Sequence, residues 1–343
     1  MSTGMVDLLA LGDENTMILK QDGSVWSSGN TFRENKYFDK VIASDAIAVA
    51  AGTGYRIVLK QDDSVWAVGK NSKGQLGTGI ASLRRAFFFV KNIPGAKAVA
   101  AGGFHTMVLT KEGRVWTTGW NNFGQLGDGS RIDKSTFTQV IDHGGKAVAA
   151  GDVHSIVLKH DGSLWATGRN YYGQLGDASK VDRSSFTEVI SSGVEDVAAG
   201  GYHSMILKQD GSVWATGWND YGQLGDGSTT SRVNYNQVFL GGAKDITAGN
   251  RHSMILKQDG SVWATGYHLD NRFGGGSTTE GGIFEMLISG DVKSIAAGAF
   301  HSMVIKQDGS VWAMGSNKHG QFGDGSTKCQ TTFVRLFKFR DGA

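Results

Sequence analysis

Short runs of alternating apolar and polar residues follow one another along the chain and are separated by glycine-containing turns. One such run, HSMILK at His203–Lys208, is followed by a Gln-Asp-Gly-Ser turn and then by SVWATG at Ser212–Gly217. In an extended strand, the Met and Leu of the first run fall on one face and its Ser and Ile on the other. Asp-Gly between two such runs predicts a β-hairpin, because glycine readily adopts the positive φ that the turn needs. The period of an amphipathic helix is absent throughout the sequence.

The hairpin is one part of a longer unit that occurs seven times. Aligned on its tryptophan, the unit recurs at steps of 40, 50, 49, 49, 49 and 49 residues. An apolar segment ending in Ala-Gly precedes the hairpin, as in DVAAG at Asp196–Gly200, and a strand-like run such as FTEVI at Phe186–Ile190 follows it. Units of about 40–50 residues with four short strands are typical of a β-propeller. The aligned tryptophans are Trp26, Trp66, Trp116, Trp165, Trp214, Trp263 and Trp312.

The sequence therefore predicts an all-β fold, a seven-bladed β-propeller of four-stranded blades. Each sheet is apolar on both faces, so neighbouring sheets must pack together, and a closed ring leaves no terminal blade exposed. The chain starts with the inner segment MVDLLALG and ends with the strand-like FVRLFKF at Phe333–Phe339. We expect this tail to dock beside the first sheet, so that the N- and C-terminal strands share one blade. The expected organisation is a single propeller over residues 1–343.

Composition narrows the class of protein and its expected compartment. The chain has 34 Lys and Arg against 32 Asp and Glu, a formal charge of +2, which gives no strong field for nucleic acid or an anionic membrane. One cysteine, Cys329, rules out an internal disulfide framework and fits a reducing compartment. The N-terminal segment lacks the features of a secretory signal, and no apolar run reaches the roughly 18 residues of a membrane span. We expect a monomeric cytoplasmic protein, with the nucleus as the alternative compartment.

The repeated motifs resemble the regulator of chromosome condensation (RCC1) repeat. The resemblance rests on A-G-x-x-H-[ST], D-G-x-[VL]-W-x-x-G and N-x-x-G-Q-[LF]-G-x-G, which recur in register across essentially the whole chain. It implies a seven-bladed β-propeller. The first unit departs from the pattern, because GNTFRENKYF at Gly29–Phe38 lacks the G-Q-L-G loop, and the sixth has Arg272 in place of the usual glutamine. Irregular outer loops are therefore expected in blades one and six.

The residues that recur in every unit are interpreted as architecture. We expect the tryptophans in the core, since a buried Trp removes roughly 150–250 Å² from water. One slot holds histidine in five units, followed by Ser or Thr, and holds Asn15 and Tyr55 in the first two. A ring would keep these imidazoles on separate blades, too far apart for one zinc ion. We expect each to form a structural hydrogen bond to neighbouring backbone, and we predict no metal site and no cofactor. The five are His105, His154, His203, His252 and His301.

Aspartates in the G-D-G-S-like loops lack the spacing of a calcium-binding loop and are expected to form turns. They are Asp128, Asp177, Asp226 and Asp324.

Candidate binding residues are those that vary between units. One variable set follows Ala-Gly and a second follows the tryptophan strand, so both should lie at strand ends around the propeller faces. Aromatic rings with arginine match the composition of binding hot spots, and the alternative is that the rings brace adjacent loops. A further candidate is LRRAFFFV at Leu83–Val90. The predicted partner-binding residues are Phe104, Trp120, Phe123, Arg169, Tyr171, Tyr172, Tyr202, Trp218, Tyr221, Arg251, Tyr267, His268 and Phe300.

A uniform scaffold with diverse loops predicts a non-catalytic protein–protein interaction scaffold. No nucleophile–histidine–acid set stands out, so we do not expect an enzyme, and the identity of the protein partner stays open. The alternative that the resemblance implies is guanine nucleotide exchange on a small GTPase. The exchange factor of the family works through a β-wedge inserted in one blade, and no unit here carries an insertion.

The resemblance suggests three further functions, but the residues of this sequence support none of them. Light sensing, as in the plant UV-B photoreceptor of this fold, needs tryptophan in a G-W-R-H segment, and no matching slot holds one. Chromatin binding lacks a basic arm. Enzyme inhibition, as in the β-lactamase inhibitory protein, has no residue in its favour. The slots that would hold the photoreceptor tryptophan are Gly103, Asp152, Gly201, Asn250 and Ala299.

Overall fold

Seven sheets of four antiparallel strands make up the structure. A computed structural model describes residues 6–30, 34–267 and 282–336, and these ranges contain no helix. Each sheet is built from four consecutive strands, in the order in which they occur in the chain. The predicted all-β fold of seven four-stranded blades is confirmed.

The strands of blades one to four are β1 Val6–Leu11, β2 Asn15–Lys20, β3 Val25–Asn30, β4 Glu34–Ile42, β5 Ala46–Gly52, β6 Tyr55–Lys60, β7 Ser64–Gly69, β8 Arg84–Asn92, β9 Ala96–Ala101, β10 His105–Thr110, β11 Val115–Gly119, β12 Lys134–Ile141, β13 Gly145–Ala150, β14 His154–Lys159, β15 Leu164–Gly168 and β16 Arg183–Ile190. The strands of blades five to seven are β17 Val194–Ala199, β18 His203–Lys208, β19 Val213–Gly217, β20 Arg232–Phe239, β21 Ala243–Ala248, β22 His252–Lys257, β23 Val262–Gly266, β24 Glu285–Ile288, β25 Val292–Ala297, β26 His301–Lys306, β27 Val311–Gly315 and β28 Gln330–Arg335.

The repeated ten-residue phrase forms the central hairpin of each blade. In blade five the turn between β18 and β19 places Gly211 at a φ of 77°, a conformation that favours glycine. Asp210 Oδ1 accepts hydrogen bonds from the N–H and the hydroxyl of Ser212 at 2.9 and 2.6 Å. The Ser212 oxygen in turn accepts the indole N–H of Trp214 at 3.0 Å. The repeated phrase therefore forms the turn, and its serine holds the tryptophan side chain in place by a hydrogen bond.

The tryptophans lie at the boundary between neighbouring blades. Trp26 is only 3% exposed, whereas the other six are half-buried and pack at the margins of the clusters between blades. A lysine ammonium lies over each of the seven rings, as Lys208 does over Trp214 at 3.8 Å from the ring centroid. The expectation that the tryptophans belong to the core therefore applies fully to Trp26, whereas the other six lie at the margin of the core. These rings combine apolar packing with a cation–π contact at the hairpin end of the sheet.

The hydrophobic core lies between the blades. In the cluster between blades five and six, Met205 and Leu207 meet Ile246, Ile255 and Phe284. All five are at most 8% exposed. Full burial of such a side chain contributes about 1.5–3 kcal/mol. A blade obtains this contribution only when both neighbours are present, so the ring is the stable unit.

Blades one and seven close the ring by packing, and no strand of the described residues is exchanged between them. β28 pairs with β27 of its own sheet, and β4 occupies the outer edge of blade one. The prediction of a shared blade is therefore wrong, because both sheets already have a fourth strand from their own contiguous segment. Residues 337–339 of the predicted closing tail lie outside the described residues.

Apolar packing and hydrogen bonds hold this closing junction. Leu9 and Phe38 of blade one lie in one cluster with Met303 and Phe322 of blade seven. The N–H of Gly325 donates to the carbonyl of residue 36 at 2.7 Å. The junction thus has the same kind of interface as the junctions inside the chain.

Each N-x-x-G-Q-L-G loop ties its blade to the outer strand of the next. In blade four, Asn170 Nδ2 donates to Asp177 Oδ1 at 2.8 Å, and Asn170 Oδ1 accepts the N–H of Leu175 at 3.0 Å. Asp177 forms a β-bridge to Asn234 of blade five and an ion pair with Arg183 at 2.7 Å. The loop aspartate therefore forms a turn and also anchors the link between blades. The corresponding bridges are Thr78↔Thr136, Asp128↔Ser185, Asp226↔Ile283 and Tyr37↔Asp324.

Blades one and six depart from the common pattern, as the sequence indicates. Only residues 31–33, outside the described part, separate β3 from β4, so the G-Q-L-G loop has no counterpart there. Buried Arg56 instead joins blade two to blade one, since its Nη2 donates to the carbonyl of Ser28 at 3.0 Å. In blade six the irregular segment with Arg272 lies outside the described residues, and β24 has four residues where β20 has eight.

Candidate functional site

The order of the strands gives the ring two different faces. Connections between the first and second strands and between the third and fourth strands emerge on one side, which we call the loop face. The hairpin turns of the repeated phrase lie on the opposite side, the hairpin face. Both variable sets of residues belong to connections of the loop face, so this face carries the differences between units.

Histidines form a girdle of hydrogen bonds just beneath the loop face. His203 Nε2 lies 2.9 Å from the hydroxyl of Ser253 in the next blade, and this hydroxyl donates to the carbonyl of Gln223 at 2.7 Å. Because the hydroxyl proton is used in that bond, we assign the imidazole proton to Nε2. The partner is thus a side chain of the neighbouring blade, which corrects the expected bond to backbone.

The girdle continues around the ring with different residues at two junctions. Asn15 pairs with Arg56 at 3.3 Å, and Thr106 donates to the Tyr55 hydroxyl at 3.3 Å. Histidine junctions make up the rest, and one of them crosses the closing junction of the ring. They are His105–Ser155, His154–Ser204, His203–Ser253, His252–Ser302 and His301–Thr16.

Burial keeps three of these histidines, His105, His154 and His203, uncharged at neutral pH. It lowers the pKa of His105 and His203 to about 4, and that of His154 to about 3. The glycine three residues before each histidine, at the end of the Ala-Gly segment, lets the first strands of neighbouring blades approach closely. A Cβ on Gly200 would lie 2.2 Å from the His203 ring and 2.5 Å from the Gly249 carbonyl oxygen. Within the described residues, no group of three or more His, Cys, Asp or Glu is arranged to hold a metal ion.

Aromatic and arginine side chains form a continuous arc on the loop face of blades three to six. We call this surface the aromatic arc. Eleven of the thirteen predicted binding residues belong to it. They are Phe104, Trp120, Phe123, Arg169, Tyr171, Tyr172, Tyr202, Trp218, Tyr221, Arg251 and Tyr267.

The part of the arc on blades three and four is a chain of ring contacts. Trp120 lies edge-on to Phe104 and Phe123, with centroids 5.9 and 5.3 Å apart. The guanidinium of Arg169 covers Phe123 at 4.7 Å and reaches the ring of Tyr171 at 5.6 Å. Edge-on rings and stacked guanidinium groups are favourable geometries, so this part of the surface is ordered before any partner binds.

Trp218 is the centre of the arc on blades five and six. Its ring contacts Tyr172, Tyr202 and Tyr221 at centroid distances of 5.6, 5.8 and 5.1 Å. The Arg251 guanidinium lies over Trp218 at 5.8 Å and over Tyr221 at 4.8 Å.

The arc braces the loops and also remains accessible. Tyr171 is 60% exposed and Tyr221 is 37% exposed, and the other members are half-buried. The two interpretations of these residues, bracing and binding, are therefore compatible. Phe300 is half-buried on blade seven and makes no ring contact with the arc in the part of the chain that the structure describes. His268 lies outside that part.

The end of the central channel opens on the loop face. The ends of the seven first strands and six of the residues that directly follow them line a cavity of about 120 Å³ there, which we call the channel mouth. Asn250 Nδ2 donates to Asp152 Oδ2 at 3.0 Å across the mouth. Burial and the nearby Asp13 raise the pKa of Asp152 to about 7, and burial also raises the pKa of Asp13.

This acidic pair was not predicted from the sequence. Asp13 and Asp152 occupy the same slot of two different units, directly after Leu-Gly in the first unit and directly after Ala-Gly in the fourth. A search for charge within that slot, unit by unit, could have found the pair.

The three consecutive phenylalanines of β8 have separate environments. Phe87 packs in the cluster between blades one and two, and Phe88 in the cluster between blades two and three. Phe89 is 51% exposed and lies edge-on to Trp66 at 6.3 Å. The one exposed ring of this candidate, Phe89, lies on the outer strand of blade two and is not part of the aromatic arc.

A ring of seven four-stranded blades with a repeat-built hairpin face and a variable loop face defines a repeat-type β-propeller. The sequence profile of the RCC1-like domain matches residues 2–229, and those of the regulator of chromosome condensation (RCC1) repeat match residues 210–256, 243–274 and 292–321. The chain belongs to the RCC1-like domain family. No curated protein sequence matches it significantly.

Solved structures share the same fold. Human WBSCR16 is 22% identical with a TM-score of 0.79, over 89% of this chain and 85% of that chain. Yeast RCC1 (Prp20) bound to Kap60 is 19% identical with a TM-score of 0.78, over 98% and 86%. A structure of Prp20p from Saccharomyces cerevisiae, described with its binding to Gsp1p and histones, is 20% identical with a TM-score of 0.78, over 98% and 87%. No helix in the described residues is long and apolar enough to cross a membrane.

Proposed function

We propose that this propeller is a protein–protein interaction scaffold and that the aromatic arc is its binding surface. The observation that carries the proposal is the continuity of the arc, in which eleven variable residues from four blades meet in one chain of contacts. Tryptophan, tyrosine and arginine are the residues most enriched in binding hot spots. Their mutual contacts hold them in place, which lowers the entropic cost of ordering them on binding.

Affinity capture with surface variants tests this proposal. The wild-type protein and the variants Trp120→Ala, Trp218→Ala and Tyr267→Ala are each used to capture proteins from the native host, and the captured proteins are quantified by mass spectrometry. Phe89→Ala is the matched control, because this exposed ring lies on the outer rim away from the arc. The proposal predicts a protein that is captured by wild type and Phe89→Ala and lost with the arc variants. Equal recovery with all the variants would remove the arc from the interface.

Guanine nucleotide exchange on a small GTPase is the alternative function. Its support is the likeness in fold to Prp20p, a protein described as binding Gsp1p. Blades three, four and five have matching strand lengths and carry no inserted wedge. We therefore expect no stimulation when labelled-nucleotide release is followed with a panel of small GTPases. Accelerated release from any of them would replace the scaffold proposal with the exchange function.

A further inference from the structure

The channel mouth combines open space with negative charge at the centre of the loop face. Its rim consists of six residues that directly follow the glycine at the end of a first strand, two of which are Gly or Ala and leave room above the channel. None of the residues that line the cavity is basic. The rim residues are Asp13, Thr53, Asp152, Gly201, Asn250 and Ala299.

The two carboxylates of the mouth have few partners of their own. Asp152 Oδ2 accepts one hydrogen bond from Asn250, and Oδ1 receives none from the described part of the chain. Asp13 accepts a hydrogen bond from Thr53 and is close enough to Asp152 to raise its pKa by repulsion. Two partly desolvated carboxylates that repel each other are stabilised by a cation placed between them.

Charged groups around the mouth do not neutralise this pair. Lys70 lowers and Glu14 raises the pKa of Asp13, so their effects on it oppose each other. Arg169 acts on Tyr202, next to the mouth, but its guanidinium is stacked on Phe123 and Tyr171 of the arc. The mouth therefore has two acidic groups and no basic one in its lining, and the aromatic arc lies beside it.

We propose that the protein partner bound by the aromatic arc inserts a lysine or arginine side chain into the channel mouth, where Asp13 and Asp152 bind its charged group. This inference rests on the proposed function and specifies the chemistry of the partner. The cavity admits the end of one long side chain and is too small for a folded segment. An acidic side chain would meet two carboxylates, and an apolar one would desolvate them without compensation.

Peptide selection on the purified protein tests this proposal. A library of random linear peptides is selected on wild type, and the enriched peptides are measured by calorimetry against Asp13→Asn, Asp152→Asn, Trp218→Ala and Asp220→Asn. Asp220 is exposed on the loop face outside the mouth, so its variant removes a charge of the same sign without changing the mouth. Each peptide is also measured with its basic residue replaced by norleucine.

The proposal expects enriched peptides that share a basic residue. Their affinity should fall by about tenfold or more with Asp152→Asn, with Asp13→Asn and with norleucine, and should change little with Asp220→Asn. Peptides that lose affinity with Trp218→Ala but not with the mouth variants would overturn this inference and leave the arc as the binding surface. Peptides insensitive to Trp218→Ala, or a selection without binders, would count against both proposals. Thermal unfolding of each variant shows that the protein used is folded.

Discussion

Two positions of the repeat that lie two residues apart differ in how much they vary between blades. The histidine slot holds the same residue in five blades, is fully buried, and joins each blade to the next. The slot directly after Ala-Gly holds Asp, Thr, Gly, Asn or Ala and lines the channel mouth. Uniformity therefore marks the interface on which ring closure depends, and variation marks the surface that is free to acquire a function.

The largest effect on stability is expected at the girdle. His203→Ala removes the hydrogen bond to Ser253 and opens a cavity between blades, which should lower the free energy of unfolding by about 3–4 kcal/mol. Tyr171→Ala on the exposed part of the arc should lower it by about 0.5 kcal/mol or less. Urea unfolding of both variants measures the difference. Equal losses would show that the girdle has no special structural role.

Substitutions in the aromatic arc should weaken partner binding more than they lower folding stability. Trp218→Ala should weaken binding of a captured partner by about 2–4 kcal/mol, because Trp218 lies at the centre of the ring contacts. Its cost to folding should be smaller, since the ring is half-buried. Calorimetric titration with the partner and urea unfolding separate the two effects, and a loss of stability larger than the loss of binding would make Trp218 a bracing residue only.

Acid should destabilise the girdle. An unfolded histidine has a pKa of about 6.5, whereas burial lowers the pKa of His154 to about 3. Below about pH 6.5 unfolding therefore takes up a proton at this residue, and stability falls as the pH decreases towards the folded-state value. His154→Asn, which uses the residue found in this slot in blade one, should reduce the slope of stability against pH by about 1.4 kcal/mol per pH unit near pH 5.

Asp152 changes stability with pH in the opposite direction to His154. The His154→Asn variant must therefore be compared with wild type at each pH. The pKa of Asp152 is raised to about 7, so its protonated form favours the fold at low pH and this contribution is lost as the pH rises through 7. Identical slopes for wild type and His154→Asn in urea unfolding from pH 4 to 7 would contradict the assignment of an uncharged buried histidine.

A smaller effect is expected where the loops link neighbouring blades. Asp177→Ala removes hydrogen bonds to Asn170 and Ser179 and the ion pair with Arg183, and should lower the free energy of unfolding by about 1 kcal/mol. Asp142→Ala removes an exposed ion pair with Arg114 and an exposed hydrogen bond from Gln139, and should cost nearly nothing. The midpoints of urea unfolding of the two variants, each compared with wild type, measure this difference. A neutral Asp177→Ala would mean that the loop needs no anchor.

The architecture was predictable because the local signals agree with one another. The Asp-Gly turn, the alternation on either side of it and the near-constant step between tryptophans all predict the same four-stranded blade. These local signals could not predict how the ring closes between blades one and seven. Phe333–Arg335 lies in the fourth-strand position of its own unit, and only the pairing in the sheet shows that it completes that blade rather than the first.

The candidate site was predicted only in part, for a similar reason. The variable residues of the arc could be identified from their slots, but the contacts between Arg169 and Phe123, or between Tyr221 and Tyr267, depend on how neighbouring blades face each other. Asp13 and Asp152 are far apart in sequence, and the ring brings them to one opening. Their pairing is a property of the closed fold rather than of any single unit.

Hydrogen exchange of the propeller with and without its captured partner tests the central claim most directly. The account predicts slower exchange in the loop-face connections of blades three to six, at residues 102–104, 120–123, 152–153, 169–172, 201–202, 218–221 and 250–251. Exchange in the hairpin turns of the opposite face should not change. Protection of those hairpin turns, with unchanged exchange in the loop-face connections, would contradict the account.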